Sequence, residues 1–355
     1  MDLAVSLPTK ARSWEVAKRA EELGYSHAWF FDTQLLNAEV FVAMGAAAMK
    51  TSRIKLCAGV LIPSNRIAPV AASALASLNA LAPGRIVLGV STGFTARRTL
   101  GLPPVTLARL ETYVQVVEAL LQGKTVEWSE DGEPHKIRFL NPELELINIK
   151  DPIPTFVSAF GPKSRRLTAR LGAGWIGSAS CPEREQADIA DMRAAWREHG
   201  RRADDLFSAL GAGGCVLDEG ESADGPRARA QAGPYAAIVF HNLVEQDQFG
   251  SIFPVGPHFP FRAQLDAYRK VYESYQPADA RYLSNHRGHL MRVRPEETHL
   301  TGDVIRGLTL TGTGAELAER IRGMKQAGYN QIQLHAVPGQ EDDMLERWAD
   351  VMAKV

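Results

Sequence analysis

Three short polar stretches follow apolar runs, and each carries side chains that could do chemistry. Phe160-Gly161-Pro162-Lys163-Ser164 lies between an apolar run ending at Ser158 and Ala159 and a segment of helical spacing. Gly161 permits close backbone approach, Pro162 suits a first helical turn, and Lys163 and Ser164 add a cation and a hydroxyl there. Free N–H groups at a helix start, with those side chains, make a site for an anion such as phosphate. An ordinary capped turn between strand and helix would use the same residues. Ser91-Thr92-Gly93-Phe94-Thr95-Ala96-Arg97-Arg98 joins small residues to two arginines, which could grip a phosphate or a carboxylate or simply cover a solvated turn. Asp32-Thr33-Gln34 ends the apolar run HAWFF and either faces a pocket or caps the next helix.

Other signals are weaker. Gly211-Ala212-Gly213-Gly214 follows a strand-like run but lacks the later glycine and acidic partner of a dinucleotide fingerprint. Walker and HExxH sequences do not occur. Five of the nine histidines, His241, His258, His286, His289 and His299, fall between Ala223 and Thr301. His286 and His289 could share a helical face, but no carboxylate cluster completes a metal site, so no metal is expected.

The elements that must position these residues read as alternating strands and helices. The central stretch is Ile54 to Phe94, where two β-branched apolar runs, Ile54–Val60 and Arg85–Thr92, flank an Ala-rich helix beginning after Pro69. A helix between two buried strands makes them parallel, and small residues at their carboxyl ends let a flat ligand approach. Further strands are expected at Leu3–Leu7, His27–Asp32, Thr155–Ala159, Trp175–Ser178, Leu206–Gly211 and Gln331–His335. Helices are expected from Ser13 to Leu23, Ala38 to Met49, Leu107 to Leu121, Ser164 to Leu171, Glu183 to His199 and Arg262 to Tyr275, with two more near the end. The junctions Leu23-Gly24-Tyr25, Leu171-Gly172-Ala173 and Ala327-Gly328-Tyr329 punctuate the repeated units, each glycine ending a helix in the left-handed region. About eight strand–helix pairs predict one α/β domain over 1–355, a (β/α)8 TIM barrel, with an open doubly wound sheet as the alternative. Two segments break the rhythm and read as insertions: 123–154, with a hairpin around Asp131-Gly132, and 223–301, where substrate selection is expected.

Composition narrows the partners. At 355 residues with 45% apolar and 23% charged residues, the chain is ordinary for a globular protein. A net charge of −1 gives no reason to expect nucleic acid or an anionic membrane. Cys57, Cys181 and Cys215 are odd in number and widely spaced, which suits a reducing compartment. With no signal-like start and no run of about 18 apolar residues, a cytoplasmic protein is the expectation.

Taken together, four stretches resemble the luciferase-like family of flavin- and deazaflavin (F420)-dependent oxidoreductases. They are AGVLIPSNRIAPV, LAPGRIVLGVSTGF, SAFGPKSRRLTARLGAGWIG and TGTGAELAERIRGMKQAGYNQIQL. The resemblance implies a bacterial luciferase-like TIM barrel binding reduced FMN or F420 at the carboxyl ends of its strands. It implies a non-prolyl cis peptide at Gly59–Val60, a cofactor phosphate loop at Gly161, Lys163 and Ser164, and a cofactor ring bordered by Ser91, Thr92 and Gly93, with Ser158, Ala159 and Phe160 leading into the loop. One departure stands out: many relatives carry a histidine just after the acidic residue ending the second strand, and here Thr33 follows Asp32. Proton transfer would then fall to Gln34 through water or to a histidine of the insertion, His241 among them. The implied activity is a monooxygenase using O2 and reduced FMN, supplied by a separate flavin reductase, on a small organic substrate. The alternatives are an F420-dependent hydride-transfer reductase or dehydrogenase and a flavin-binding barrel without turnover. A homo-oligomer is implied as well.

Overall fold

Eight apolar segments close edge to edge into a parallel barrel in the computed structural model, which describes residues 1–130, 132–251 and 259–355. The strands are β1 (Asp2–Leu7), β2 (His27–Phe30), β3 (Lys55–Leu61), β4 (Ile86–Val90), β5 (Thr155–Ser158), β6 (Gly174–Ser178), β7 (Ser208–Ala212) and β8 (Gln331–His335). Each pairs with its chain neighbours, and β1 pairs with β8 from Asp2↔Gln331 to Ser6↔His335, closing the ring. The open-sheet alternative is thereby excluded. The (β/α)8 reading follows from the strands' composition: most are Val, Ile, Leu and Ala runs buried on both faces, as a parallel barrel requires, while β8 alternates Gln331, Gln333 and His335 with Ile332 and Leu334.

Helices cover the outside. Trp14–Glu22, Val40–Lys50, Ala68–Leu81, Leu107–Leu121, Pro162–Leu171, Pro182–Glu198, Gly314–Ala327 and Glu341–Met352 fall within a few residues of the expected positions. Gly24, Gly172 and Gly328 take φ of 86°, 69° and 104°, the conformation that lets the chain leave a helix and enter the next strand. Thr313 and Glu316 form a reciprocal capping box that starts Gly314–Ala327. Among the described residues, no helix is long and apolar enough to cross a membrane.

The barrel interior is bulky at one end and bare at the other. Trp29, Phe156 and Phe207 meet edge to face, with ring centroids 5.5 and 5.4 Å apart, and fill the middle with Ala4, Cys57, Val87 and Ile176. Toward the carboxyl ends the strands carry Gly59, Ser91, Ser158, Gly177, Ser178 and Gly211, which leave open space above that floor.

The two breaks in rhythm differ in kind. The first forms the expected hairpin, Val126–Trp128 against His135–Ile137, antiparallel, although Asp131 of its anticipated turn lies outside the described residues. The second lies between β7 and β8 and is wider than 223–301. Gly214–Leu217 pairs in parallel with Leu310–Thr313, and these two strands bracket a largely helical segment. Within it lie Pro226–Gln231, Gly233–Val244, Arg262–Ser274 and Gly302–Leu308, which bury their own apolar core around Phe240, Tyr268 and Ile305. His258, Pro254 and Pro257 lie outside the described residues.

Candidate active site

The bare carboxyl ends of the strands enclose a cavity of about 240 Å³. Its walls are Phe31, Ile62, Phe94, Ile238 and Leu290, and its rim is built from Ser6, Gly59, Val60, Ser91, Gly93, Ser158, Gly177 and Gly211. Gly59–Val60 is a cis, non-prolyl peptide, as the family resemblance implied. A larger cavity of about 600 Å³ adjoins it along Phe160, Gly177, Ser178, Ala212 and Tyr235. The larger cavity runs out between the start of Pro182–Glu198 and the Arg306–Gly312 stretch, and carries Arg184, Arg306 and Arg320.

The expected residues divide between these spaces and the surrounding scaffold. Asp32, Thr33, Gly59, Val60, Ser91, Gly93, Ser158 and Phe160 line the smaller cavity, and Ala159 and Phe160 line the larger. Thr92 lines neither; its carbonyl accepts the Val105 N–H at 2.9 Å. Gln34 is engaged in the wall, donating to the Ala96 carbonyl and to Thr99 Oγ1 and accepting from Asn65 Nδ2 at 2.9 Å. His241 lies deeper, inside the insertion. Gly161, Lys163 and Ser164 sit at the start of Pro162–Leu171, outside both cavities. There the Gly161 N–H donates to Ser164 Oγ at 3.2 Å, and Ser164 donates back to the Gly161 carbonyl at 2.8 Å. Arg165 locks the loop from behind, donating to the Phe160 carbonyl at 2.9 Å while pairing with Asp188 and Asp191.

The arginine pair does not form a phosphate clamp. Arg98 is buried, stacks over Phe94 at 4.1 Å and pairs with Glu245 at 3.3 Å, so its charge is spent inside the insertion. Burial pushes its pKa down to about 10. Arg97 donates to the Pro103 carbonyl at 2.9 Å.

Asp32 is buried and paired with Arg66 at 2.6 Å. Arg66 bonds in turn to Glu39, whose side chain caps Val40–Lys50. Burial raises the Asp32 pKa in spite of the arginine.

His335 was legible only as the last residue of β8, and it proves to be the principal titratable group of the smaller cavity that sequence reasoning missed. Its ring stacks on Phe31 at 5.5 Å with planes 3° apart. Its Nε2 lies 2.5 Å from the Leu290 carbonyl, which can only accept, so Nε2 carries the proton. Nδ1 is then a bare lone pair, buried without a partner. Leu290 holds that carbonyl in place with a φ of 63°, a conformation a branched residue rarely adopts. Burial pulls the His335 pKa down to about 4, so the ring is neutral at pH 7. Tyr235, whose hydroxyl donates to the Gly211 carbonyl at 3.1 Å, separates the two cavities. An orphaned acceptor, small rim residues and apolar walls fit a flat heteroaromatic ligand that brings its own donor.

A closed, parallel eight-stranded barrel with a cavity at the carboxyl ends of its strands defines the class, a TIM barrel. The chain belongs to the luciferase-like monooxygenase family, whose model matches residues 4–331. It is 31% identical over 189 residues to a 5,10-methylenetetrahydromethanopterin reductase of Archaeoglobus fulgidus, covering 53% of this chain and 55% of that one. It is 37% identical over 140 residues to an F420-dependent glucose-6-phosphate dehydrogenase of Beutenbergia cavernae, covering 38% and 40%. The chain thus spans about half the length, or less, of the curated relatives it matches. An F420-dependent secondary alcohol dehydrogenase in complex with an F420–acetone adduct shares the fold, with a TM-score of 0.71, 18% identity and coverage of 100% and 99%.

Proposed function

We propose that the protein is an F420-dependent oxidoreductase that moves a hydride between the deazaflavin and a small organic substrate. The observation that carries this reading is the larger cavity, which continues from the ring-sized one past Ser178 and Tyr235 toward arginines. FMN ends at its phosphate. F420 continues beyond its phosphate into an acidic tail, which needs further length and cations. Arg306 is held by only a long 3.9 Å contact to Glu316, and Arg184 by a 3.5 Å contact to Asp188, so both can turn toward a carboxylate. The names of the curated relatives support the same cofactor class.

When bound, the deazaflavin supplies a site that gives or takes hydride. The protein's own residues supply the rest. Gly59, Val60, Ser91 and Gly177 admit the ring, and Phe31, Ile62 and Ile238 exclude water from its surroundings. His335 Nδ1 offers a fixed, neutral acceptor. Gly161, Lys163 and Ser164 provide the helix start beside the junction of the cavities for the phosphate. A homo-oligomer and a cytoplasmic setting accompany this reading, and a separate flavin reductase would be needed only for an FMN-dependent oxygenase.

The test is a pair of fluorescence titrations, with F420 and with FMN. Tighter binding of F420, by tenfold or more, is expected. Preference for FMN would return the reading to the monooxygenase, and binding of neither would remove both.

A further inference from the structure

Behind Thr95, the insertion buries a chain of polar groups. Thr95 lines the smaller cavity, and its Oγ1 lies 3.1 Å from His289 Nε2. His289 Nδ1 lies 3.0 Å from His241 Nδ1, and His241 Nε2 lies 2.7 Å from Glu297 Oε1. His241, His289 and Glu297 are 2%, 3% and 0% exposed.

These contacts dictate which atom carries each proton. Arg294 donates its backbone N–H to Glu297 Oε2 at 2.7 Å, and its Nε and Nη2 to Oε1 at 3.0 and 2.7 Å. Burial alone would raise the Glu297 pKa, but His241 and Arg294 prevail and hold it down to about 2, so it is ionised. An anionic oxygen 2.7 Å away demands a proton on His241 Nε2. Arg294 Nη2 also approaches that nitrogen, at 3.1 Å, but its two hydrogens are spent on Glu297 and on Tyr268 Oη at 2.7 Å. Burial lowers the pKa of both His241 and His289, which leaves each ring one N–H. His241 Nδ1 is therefore a lone pair, and the proton between the two rings belongs to His289 Nδ1. His289 Nε2 is then a lone pair as well, and the Thr95 hydroxyl donates to it. Every polar hydrogen in the chain points away from the cavity, toward Glu297, and the Thr95 oxygen shows the cavity only lone pairs.

We propose that Thr95, His289, His241 and Glu297 form an inward proton relay that takes the hydroxyl proton of an alcohol substrate as its hydride leaves. The proposal rests on the reading of the cavity as the place of hydride transfer. Each link breaks one bond and makes one. The substrate O–H proton passes to Thr95 Oγ1, the Thr95 proton to His289 Nε2, and the His289 Nδ1 proton to His241 Nδ1. His241 becomes an imidazolium balanced by the ionised Glu297 as the substrate gives up one proton and one hydride to become a carbonyl compound. Run backwards, the same chain delivers a proton to a carbonyl oxygen as hydride arrives. His286 flanks the relay, its ring centroid 5.0 Å from that of His289, and is itself occupied by Glu245 at 2.9 Å.

Long-range ¹H–¹⁵N spectra of the whole protein with labelled histidines test the direction that these contacts require. At pH 7, His289 is expected as the less common Nδ1-protonated tautomer and His241 as the Nε2-protonated one. Thr95→Val is expected to shift the His289 Nε2 resonance and leave His27, on the far side of the barrel floor, in place. His289→Asn is expected to bind F420 within about threefold of the parent. His289 protonated at Nε2, no shift in Thr95→Val, or loss of F420 binding in His289→Asn would each overturn the relay. The expected tautomers in a protein that binds neither F420 nor FMN would instead overturn the cofactor reading beneath it.

Discussion

Gly211→Leu separates the cavity from the fold. Gly211 sits in β7, paired with Ser178 on one side and Gln333 on the other, and lines the smaller cavity. A Cβ at this position meets only the Gly177 carbonyl at 3.6 Å and Tyr235 Oη at 3.9 Å, ordinary contacts that displace nothing. Gly211→Ala should therefore fold as the parent does, or gain about 0.4–1 kcal/mol from reduced freedom of the unfolded chain. The three further carbons of leucine have nowhere to go but the 240 Å³ space, where a cofactor ring would lie. The leucine variant should stay within about 1 kcal/mol of the parent in urea unfolding. Its F420 affinity should fall at least about a hundredfold, or ~2.8 kcal/mol at about 1.4 kcal/mol per factor of ten. Fluorescence titration reads the second quantity and denaturation the first. A folded leucine variant with parental affinity would refute the placement of the ring; if that variant unfolds, the alanine variant carries the test with an expected loss of several-fold.

Three other outcomes are expected. Gly161→Glu places a carboxylate at the helix start where a Cβ has open space around it, so stability should hold while F420 affinity drops at least about tenfold; unchanged affinity counts against a phosphate there. Arg98→Met strands Glu245 beside His286 in a dry interior and should cost about 3–5 kcal/mol in urea unfolding, and a cost below about 1 kcal/mol would show that the pair is not needed. Stability should also fall in acid. His299 and His335 are held by burial at a pKa of about 4, against about 6.5 when unfolded, so between those values the unfolded chain binds protons the folded one refuses. Each then withdraws up to about 2 kcal/mol on going from pH 6.5 to pH 5. Glu297 acts lower: its folded pKa, depressed to about 2, stabilises above about 4.3, and that contribution is lost as pH falls from about 4.3 toward 2. Unfolding midpoints that coincide at pH 7 and pH 5 would contradict the burial of these rings.

The barrel was legible because its signals are local. Most strands are short apolar runs, and Gly24, Gly172 and Gly328 mark where helices stop, so order and direction follow from the chain alone. The pairing of Gly214–Leu217 with Leu310–Thr313 was not, since nothing in either tetrapeptide identifies a partner nearly a hundred residues away. Helix Gly233–Val244 escaped because it is buried on nearly every side and so lacks the one-sided stripe that reveals a helix. The same distinction runs through the site. Gly59, Ser91 and Ser158 could be placed at strand ends by counting, whereas His335 needed the knowledge that its ring turns inward beside Phe31 and that the Leu290 carbonyl, brought from the insertion, decides its tautomer. His241 stands out in the insertion for its chemistry alone; its partners His289 and Glu297 come from separate turns of the same segment, and only folding brings them within hydrogen-bonding distance.

On the proposed reading, the carboxyl-end cavity seats a deazaflavin ring and the adjoining cavity takes its tail. A diffraction measurement on crystals of the protein grown with F420 tests it directly. Ring density is expected against Gly59–Val60 and Ser91, within reach of His335 Nδ1, with the acidic tail leading past Ser178 toward Arg306. Density for the ring outside the barrel mouth, or a tail that leaves by another route while the larger cavity stays empty, would contradict it.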